Sequence, residues 1–141
     1  MRIDIPDRKK LVFESVMPIR WGDMDAMGHV NNASYFRYME SVRIDWFKEI
    51  HELPNPLGVG PVIINAFCNF HQSLVYPGDI RVKMYASDPG RSTFETWATI
   101  EYVHQPGVLY ATGGATTIWV DFQAQKAVAL PEFMRQVVTA A

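Results

Sequence analysis

Pro77-Gly78, Pro89-Gly90 and Pro106-Gly107 punctuate the second half of the chain at near-regular intervals, and the runs between them are rich in β-branched and aromatic residues. Proline fixes φ and removes a backbone donor. Glycine adopts backbone angles that other residues avoid, so each pair ends one extended segment and turns the chain. This punctuation predicts strands over residues 61–74, 80–87, 91–104 and 108–122, then a short strand at 127–130 and a weak terminal helix from Pro131. Strands joined by turns this tight are most simply arranged as a long antiparallel meander. Gly113-Gly114 interrupts the 108–122 run and predicts either a bulge or a close approach by another element.

The first half has a different rhythm. Residues 11–19 carry apolar and β-branched types and predict one strand, stopped near Arg20-Trp21-Gly22. From residue 32 to about 50, Phe36, Met39, Val42 or Arg43, Trp46, Phe47 and Ile50 recur at spacings of three and four with no proline or glycine between them. That is a helix pattern, and Asn31 or Asn32 supplies its N-cap. Pro54, Pro56, Gly58 and Gly60 then predict a loop. One long helix with about five antiparallel strands makes an α+β domain. The helix is apolar over more than half its circumference, so the sheet is expected to curve round it.

No repeat, linker or low-complexity tract divides the 141 residues, and residues 1–141 are expected to form one domain. Thirteen Lys and Arg against fifteen Asp and Glu give a formal charge of -2, which argues against a broad surface for nucleic acid or anionic membrane. A local basic patch for a phosphorylated ligand stays open. Cys68 is the one cysteine, so an intrachain disulfide is excluded, and a small buried core residue in a reducing compartment is expected. The N-terminus carries charge with no apolar signal region behind it, and no apolar run approaches bilayer length. A soluble, cytoplasmic protein is the expectation.

The chemistry concentrates in residues 20–35, Arg-Trp-Gly-Asp-Met-Asp-Ala-Met-Gly-His-Val-Asn-Asn-Ala-Ser-Tyr. An acid held in front of a helix N-terminus attacks a carbonyl carbon or activates water, while free backbone N–H groups draw charge onto the carbonyl oxygen. Acyl transfer needs that arrangement. Asp25 is the candidate acid, against the plainer role of a loop or capping residue. Asp23 reads first as a turn residue bonded to local amides. Gly28 permits a bend or a close approach by substrate. His29 has no partner at metal-ligand spacing, since His51, His71 and His104 are scattered, so no metal site is expected. A ring bonded to loop backbone, or one that orients Asp25 or water, fits it better. Asn31 and Asn32 either cap the helix or stand where its opening amides face a carbonyl oxygen. Glu40 and Arg43, three apart, are able to pair. Tyr35, Phe36, Tyr38, Trp46 and Phe67 divide between core packing and pocket lining.

The order of a strand, Trp-Gly-Asp-x-Asp-x-x-Gly-His-Val-Asn-Asn, a helix with Tyr38-Met39-Glu40 and Arg43, then four or five antiparallel strands resembles the hotdog-fold acyl-CoA thioesterases. The similarity is greatest to the 4-hydroxybenzoyl-CoA thioesterase-like branch and spans roughly residues 12–128. It implies a long helix wrapped by a curved sheet, and subunits paired edge to edge as a homodimer or homotetramer with the site at the subunit interface. It implies an acyl-CoA substrate, or an acyl carrier protein thioester, and no cofactor. It implies Asp25 as nucleophile or general base, with His29 beside it and Asn32 as the amide donor. Gly28 and Asn31 would meet the substrate, and Arg91 would face the phosphates of coenzyme A. Glu40 matches the helix-borne acid of a sister branch. A thioester suits a site of this kind, because a thiol of pKa about 8.5 leaves with little help from a general acid. Two alternatives remain open: a hotdog hydratase or dehydratase using Asp25 with His29, and a non-catalytic acyl-CoA binder.

Overall fold

The computed structural model describes residues 3–53 and 55–139; Pro54, one of the predicted loop residues, lies outside them. The elements are β1 (Lys10–Pro18), a one-turn 3-10 helix (Trp21–Asp23), α1 (Asn32–Glu49), β2 (Val59–Phe70), β3 (Asp79–Ser87), β4 (Thr93–Tyr102), β5 (Ala111–Asp121), β6 (Lys126–Ala127) and α2 (Glu132–Val138). The strands form one antiparallel sheet in the order β1-β3-β4-β5-β2, with β6 paired to β5. One strand forms at each of the six predicted segments, the last of them only Lys126–Ala127. The sheet with a helix against one face is consistent with the hotdog fold.

The sheet order corrects the meander. β3, β4 and β5 do follow one another as hairpins. β2, however, pairs with β5 at the far edge rather than with β3. The cause is non-local: β1 occupies the free side of β3, from Lys10 opposite Ala86 to Pro18 opposite Asp79. The chain therefore leaves β2 at Phe70 and crosses the end of the sheet over residues 71–78. His71 and Gln72 N–H both donate to the Tyr110 carbonyl, Val75 N–H donates to the Tyr102 hydroxyl oxygen, and Ile19 N–H donates to the Gly78 carbonyl. Leu74, predicted as the end of a strand, is instead the buried anchor of this crossover.

α1 lays Tyr35, Tyr38, Met39, Val42, Trp46 and Phe47 against the sheet. On β3, Ile80, Val82, Met84 and Ala86 are fully buried on that side, while Arg81, Lys83 and Tyr85 alternate outward, as the two-residue period of a strand requires. Trp46 meets Phe94 edge to face at 6.1 Å, and Met134 and Val138 of α2 close the far end of the core. Glu40 pairs with Arg37 across 3.7 Å in an exposed position, not with Arg43. Arg43 Nε is buried without a partner, and burial lowers the guanidinium pKa. Cys68 is half-buried, and burial pushes its thiol up to about 12, so it stays uncharged and unreactive at neutral pH.

Gly113-Gly114 is a point of close approach. A Cβ on Gly113 would sit 2.6 Å from the Met39 sulfur and 2.7 Å from the Phe67 carbonyl oxygen. The sheet's register shifts lie elsewhere, in β1 between Leu11 and Phe13 and in β2 between Ile63 and Asn65. Gly113→Ala must displace the helix or the neighbouring strand, and overpacking of this kind costs about 1–3 kcal/mol. A thermal melt reports it as a lower Tm; an unchanged Tm would mean that both the Met39 side chain and the β2 backbone at Phe67 give way at little cost.

Candidate active site

Between β1 and α1 the chain folds into a small closed structure. The 3-10 turn brings Asp23 back over Arg20: Asp23 N–H donates to the Arg20 carbonyl at 2.9 Å, and Arg20 N–H donates to Asp23 Oδ2, also at 2.9 Å. Met24 and Val30 then face each other as an antiparallel bridge. Asp25 N–H donates to the His29 carbonyl at 3.0 Å and Gly28 N–H to the Asp25 carbonyl at 3.1 Å, which closes a tight reversal. Gly28 has φ 84°, a left-handed angle that a side chain would strain, and nothing lies within 4 Å of where its Cβ would stand. Glycine serves this turn through its backbone angle rather than through packing.

The loop carries Asp25 at its shoulder, half-buried. Asp25 Oδ1 accepts from Met27 N–H at 2.8 Å, a short-range bond that fixes the carboxylate against its own turn. Asp25 Oδ2 faces Asn31 Nδ2 at 3.4 Å, a long and weak contact. Asn31 has a second bond: its Oδ1 accepts from Ala33 N–H at 2.8 Å and caps α1. One side chain thus joins the acid to the start of the helix. Asn32, the first residue of α1, offers an N–H with no acceptor among the described residues. An acid and a free helix amide therefore flank Asn31.

The His29 ring makes no hydrogen bond to the Asp25 carboxylate, although the two main chains are bonded. Its Nδ1 is 3.2 Å from the Val30 carbonyl oxygen, which only accepts, so this contact places a proton on Nδ1. The Asp25–His29 pair that hydratase chemistry requires is not formed. Arg91 is exposed at the turn between β3 and β4. β3 starts opposite Pro18, next to the loop, and ends at Ser87, so by strand rise Arg91 stands on the order of 25 Å from the loop in the same chain. Arg91 and Asp25 are not brought together within one subunit.

Two braces hold the loop, and neither was evident in the sequence. Tyr38 of α1, predicted only as core or pocket lining, donates its hydroxyl to Asp23 Oδ2 at 2.7 Å. Burial, and then the Asp23 carboxylate, raise the Tyr38 pKa. Leu74 of the crossover accepts from Val30 N–H at 2.8 Å, while its own N–H donates to the Tyr35 hydroxyl oxygen at 2.9 Å. The available signal was chemical: a buried tyrosine needs a partner for its hydroxyl.

A cavity of about 550 Å³ opens on the sheet face opposite α1, lined by His71, Lys83, Tyr85, Glu101 and Thr112 among others. A second of about 360 Å³ lies beside β1 and α1, lined by Arg20, Asp23, Arg37, Tyr38 and Asp45 among others. Asp25 lines neither. Among the described residues no three His, Cys, Asp or Glu side chains converge on a common point.

The family model of the thioesterase-like superfamily matches residues 19–138. A proposed thioesterase from Pseudomonas aeruginosa superimposes with a TM-score of 0.83 at 29% identity, covering 90% of this chain and 98% of that one. A proposed acyl-CoA thioesterase from Xanthomonas campestris superimposes with a TM-score of 0.72 at 33% identity, covering 78% of this chain and 93% of that one. The uncharacterised YsmA protein of Bacillus subtilis is 25% identical over 131 residues, covering 89% of this chain and 86% of YsmA.

Proposed function

The chain belongs to the thioesterase-like superfamily and is a thioester hydrolase, and from that premise we propose that it cleaves an acyl-CoA to a carboxylic acid and free coenzyme A, with Asp25 as the reacting acid. The observation that carries this reading is the pair of hydrogen bonds made by the Asn31 side chain, one donated to Asp25 Oδ2 and one accepted from Ala33 N–H, which link the acid to the first turn of α1. A thioester carbonyl oxygen seated on Asn32 N–H turns its carbon toward Asp25. Asp25 then adds to that carbon and expels the thiolate to give a mixed anhydride, which water opens to the free acid and the Asp25 carboxylate, or Asp25 takes a proton from a water that adds to the thioester directly. Either way the oxyanion rests on the helix amide, and the thiolate departs unaided. In this reading His29 Nε2, unprotonated when Nδ1 carries the proton, accepts a hydrogen bond from that water. Gly28 keeps the loop clear of side chains where the substrate passes.

In this reading residues 1–141 act as one cytoplasmic catalytic domain whose sheet curves about α1. It works as a homodimer or homotetramer joined along the free edge of β2. That edge strand leaves Val59, Ile64 and Phe70 at 48%, 56% and 43% exposure in the single chain, apolar surface along its length that a second copy would cover. Joining two copies also answers the distance to Arg91, which would meet the phosphates of a substrate bound at another subunit's Asp25.

Release of free thiol from a panel of acyl-CoA esters tests the activity, and the preferred ester identifies the acyl group. Loss of enoyl absorbance without thiol release would favour a hydratase, and tight binding without turnover an acyl-CoA binder. Arg91→Ala is expected to raise KM for CoA esters about tenfold, the worth of ~1.4 kcal/mol of phosphate contact. Pantetheine esters, which lack the nucleotide phosphates, should change less than twofold. Equal changes for both would separate Arg91 from the phosphates.

A further inference from the structure

Among the described residues, one hydrogen bond from an α1 side chain ties down the loop bearing Asp25, and that bond does not touch Asp25. We propose that Tyr38 is a positioning residue for Asp25, acting through Asp23 and Asn31; this rests on the hydrolase reading above. The Tyr38 ring is 5% exposed and packs 6.4 Å from the Tyr35 ring, so its hydroxyl is held at a fixed point on the helix. That hydroxyl donates to Asp23 Oδ2 at 2.7 Å, and the same oxygen accepts from Arg20 N–H at 2.9 Å. The Asp23 carboxylate is thereby clamped between the end of β1 and the helix.

Clamping the side chain fixes the main chain. The Asp23 carbonyl accepts from Asn31 N–H at 2.8 Å, and Asn31 then divides its amide between Ala33 N–H and Asp25 Oδ2. Each link sets the next, and no other α1 side chain hydrogen-bonds to residues 20–30 among the described residues. The last link, at 3.4 Å, is the weakest and the most sensitive to displacement. A shift of about 1 Å at a remote support costs on the order of 10²-fold in rate when it misplaces a reacting group. The chain of contacts also separates the two acids: Asp23 builds the loop, and Asp25 is left to face the substrate.

The test compares wild type, Asp25→Asn, Tyr38→Phe, Asp23→Ala and Asp23→Asn by thiol release and by amide hydrogen exchange of the substrate-free protein. Tyr38→Phe removes one oxygen and keeps the ring. It should lower kcat about ten- to a hundredfold with KM within about twofold, and speed exchange at Asn31 N–H about tenfold or more while the later turns of α1 keep their protection. Asp23→Ala should match it, and adding Tyr38→Phe to Asp23→Ala should cost little more. Asp23→Asn keeps an oxygen that accepts from Tyr38, and should hold kcat within about threefold of wild type. If Tyr38→Phe does not fold, Asp23→Ala against Asp23→Asn reads the same bond from its other end. Wild-type kcat and wild-type Asn31 protection in folded Tyr38→Phe would overturn the positioning role and leave the hydrolase reading standing. A wild type that releases no thiol from any ester would remove the hydrolase reading and the catalytic part of this proposal together.

Discussion

Asp25→Asn is expected to reduce thioester cleavage by about 10³-fold or more while the protein remains folded and keeps its oligomeric state. Loss of a general base alone costs about 10²–10⁴-fold, and loss of a nucleophile falls at the upper end of that range or beyond it. The substitution is structurally mild. The amide oxygen of Asn still accepts from Met27 N–H, the 2.8 Å bond that fixes the side chain to its turn. Only the 3.4 Å contact with Asn31 Nδ2 is lost, because two amide nitrogens then face each other. Thiol release from an acyl-CoA, read beside a thermal melt, separates the two effects. Turnover near the wild-type rate in folded Asp25→Asn would remove Asp25 from the chemistry.

Asn31 gives the second large effect, because one side chain carries both a structural and a positioning duty. Asn31→Ala loses the N-cap of α1, worth about 1 kcal/mol, together with the hold on Asp25. Asn31→Ser keeps a capping oxygen but is too short to reach Asp25 Oδ2. Both variants should lose about tenfold or more in kcat, and only Asn31→Ala should lower Tm appreciably. If Asn31→Ser retained full activity, the contact with Asp25 would have no part in catalysis. If it lost stability as Asn31→Ala does, the cap would depend on more than an oxygen at this position.

Local structure was legible in the sequence where local rules govern it. The helix predicted from 32 to about 50 is Asn32–Glu49, capped by Asn31. The predicted strand at 80–87 is Asp79–Ser87, and the predicted terminal helix begins directly after Pro131. Pairing was less legible. No residue in 61–74 announces that its strand will cross to β5, because the cause is β1 on the far side of β3, some fifty residues earlier in the chain. Leu74 reads as one more apolar strand residue, and its place in the crossover depends on Val30 and Tyr35.

The candidate site divides in the same way. Residue types and spacing marked Asp25, Gly28, His29, Asn31 and Asn32 as one cluster, because they lie within eight residues at the start of α1, while the roles of Asp25 and Asn32 came from the family resemblance. Arg91 is a different case. Its residue type suits a phosphate, but its place at the opposite end of β3 follows from strand direction, which spacing does not carry. Tyr38 was visible as a buried aromatic, yet its role depends on which acid its hydroxyl meets.

The most direct test is a crystal structure with an acyl-CoA analogue in which the thioester sulfur is replaced by methylene. The account predicts the ketone oxygen about 2.7–3.1 Å from Asn32 N, with the carbonyl carbon facing the Asp25 carboxylate or a water bound to it. A ketone lodged away from α1, with Asn32 N–H still open to solvent and Asp25 remote from the carbonyl carbon, would contradict it.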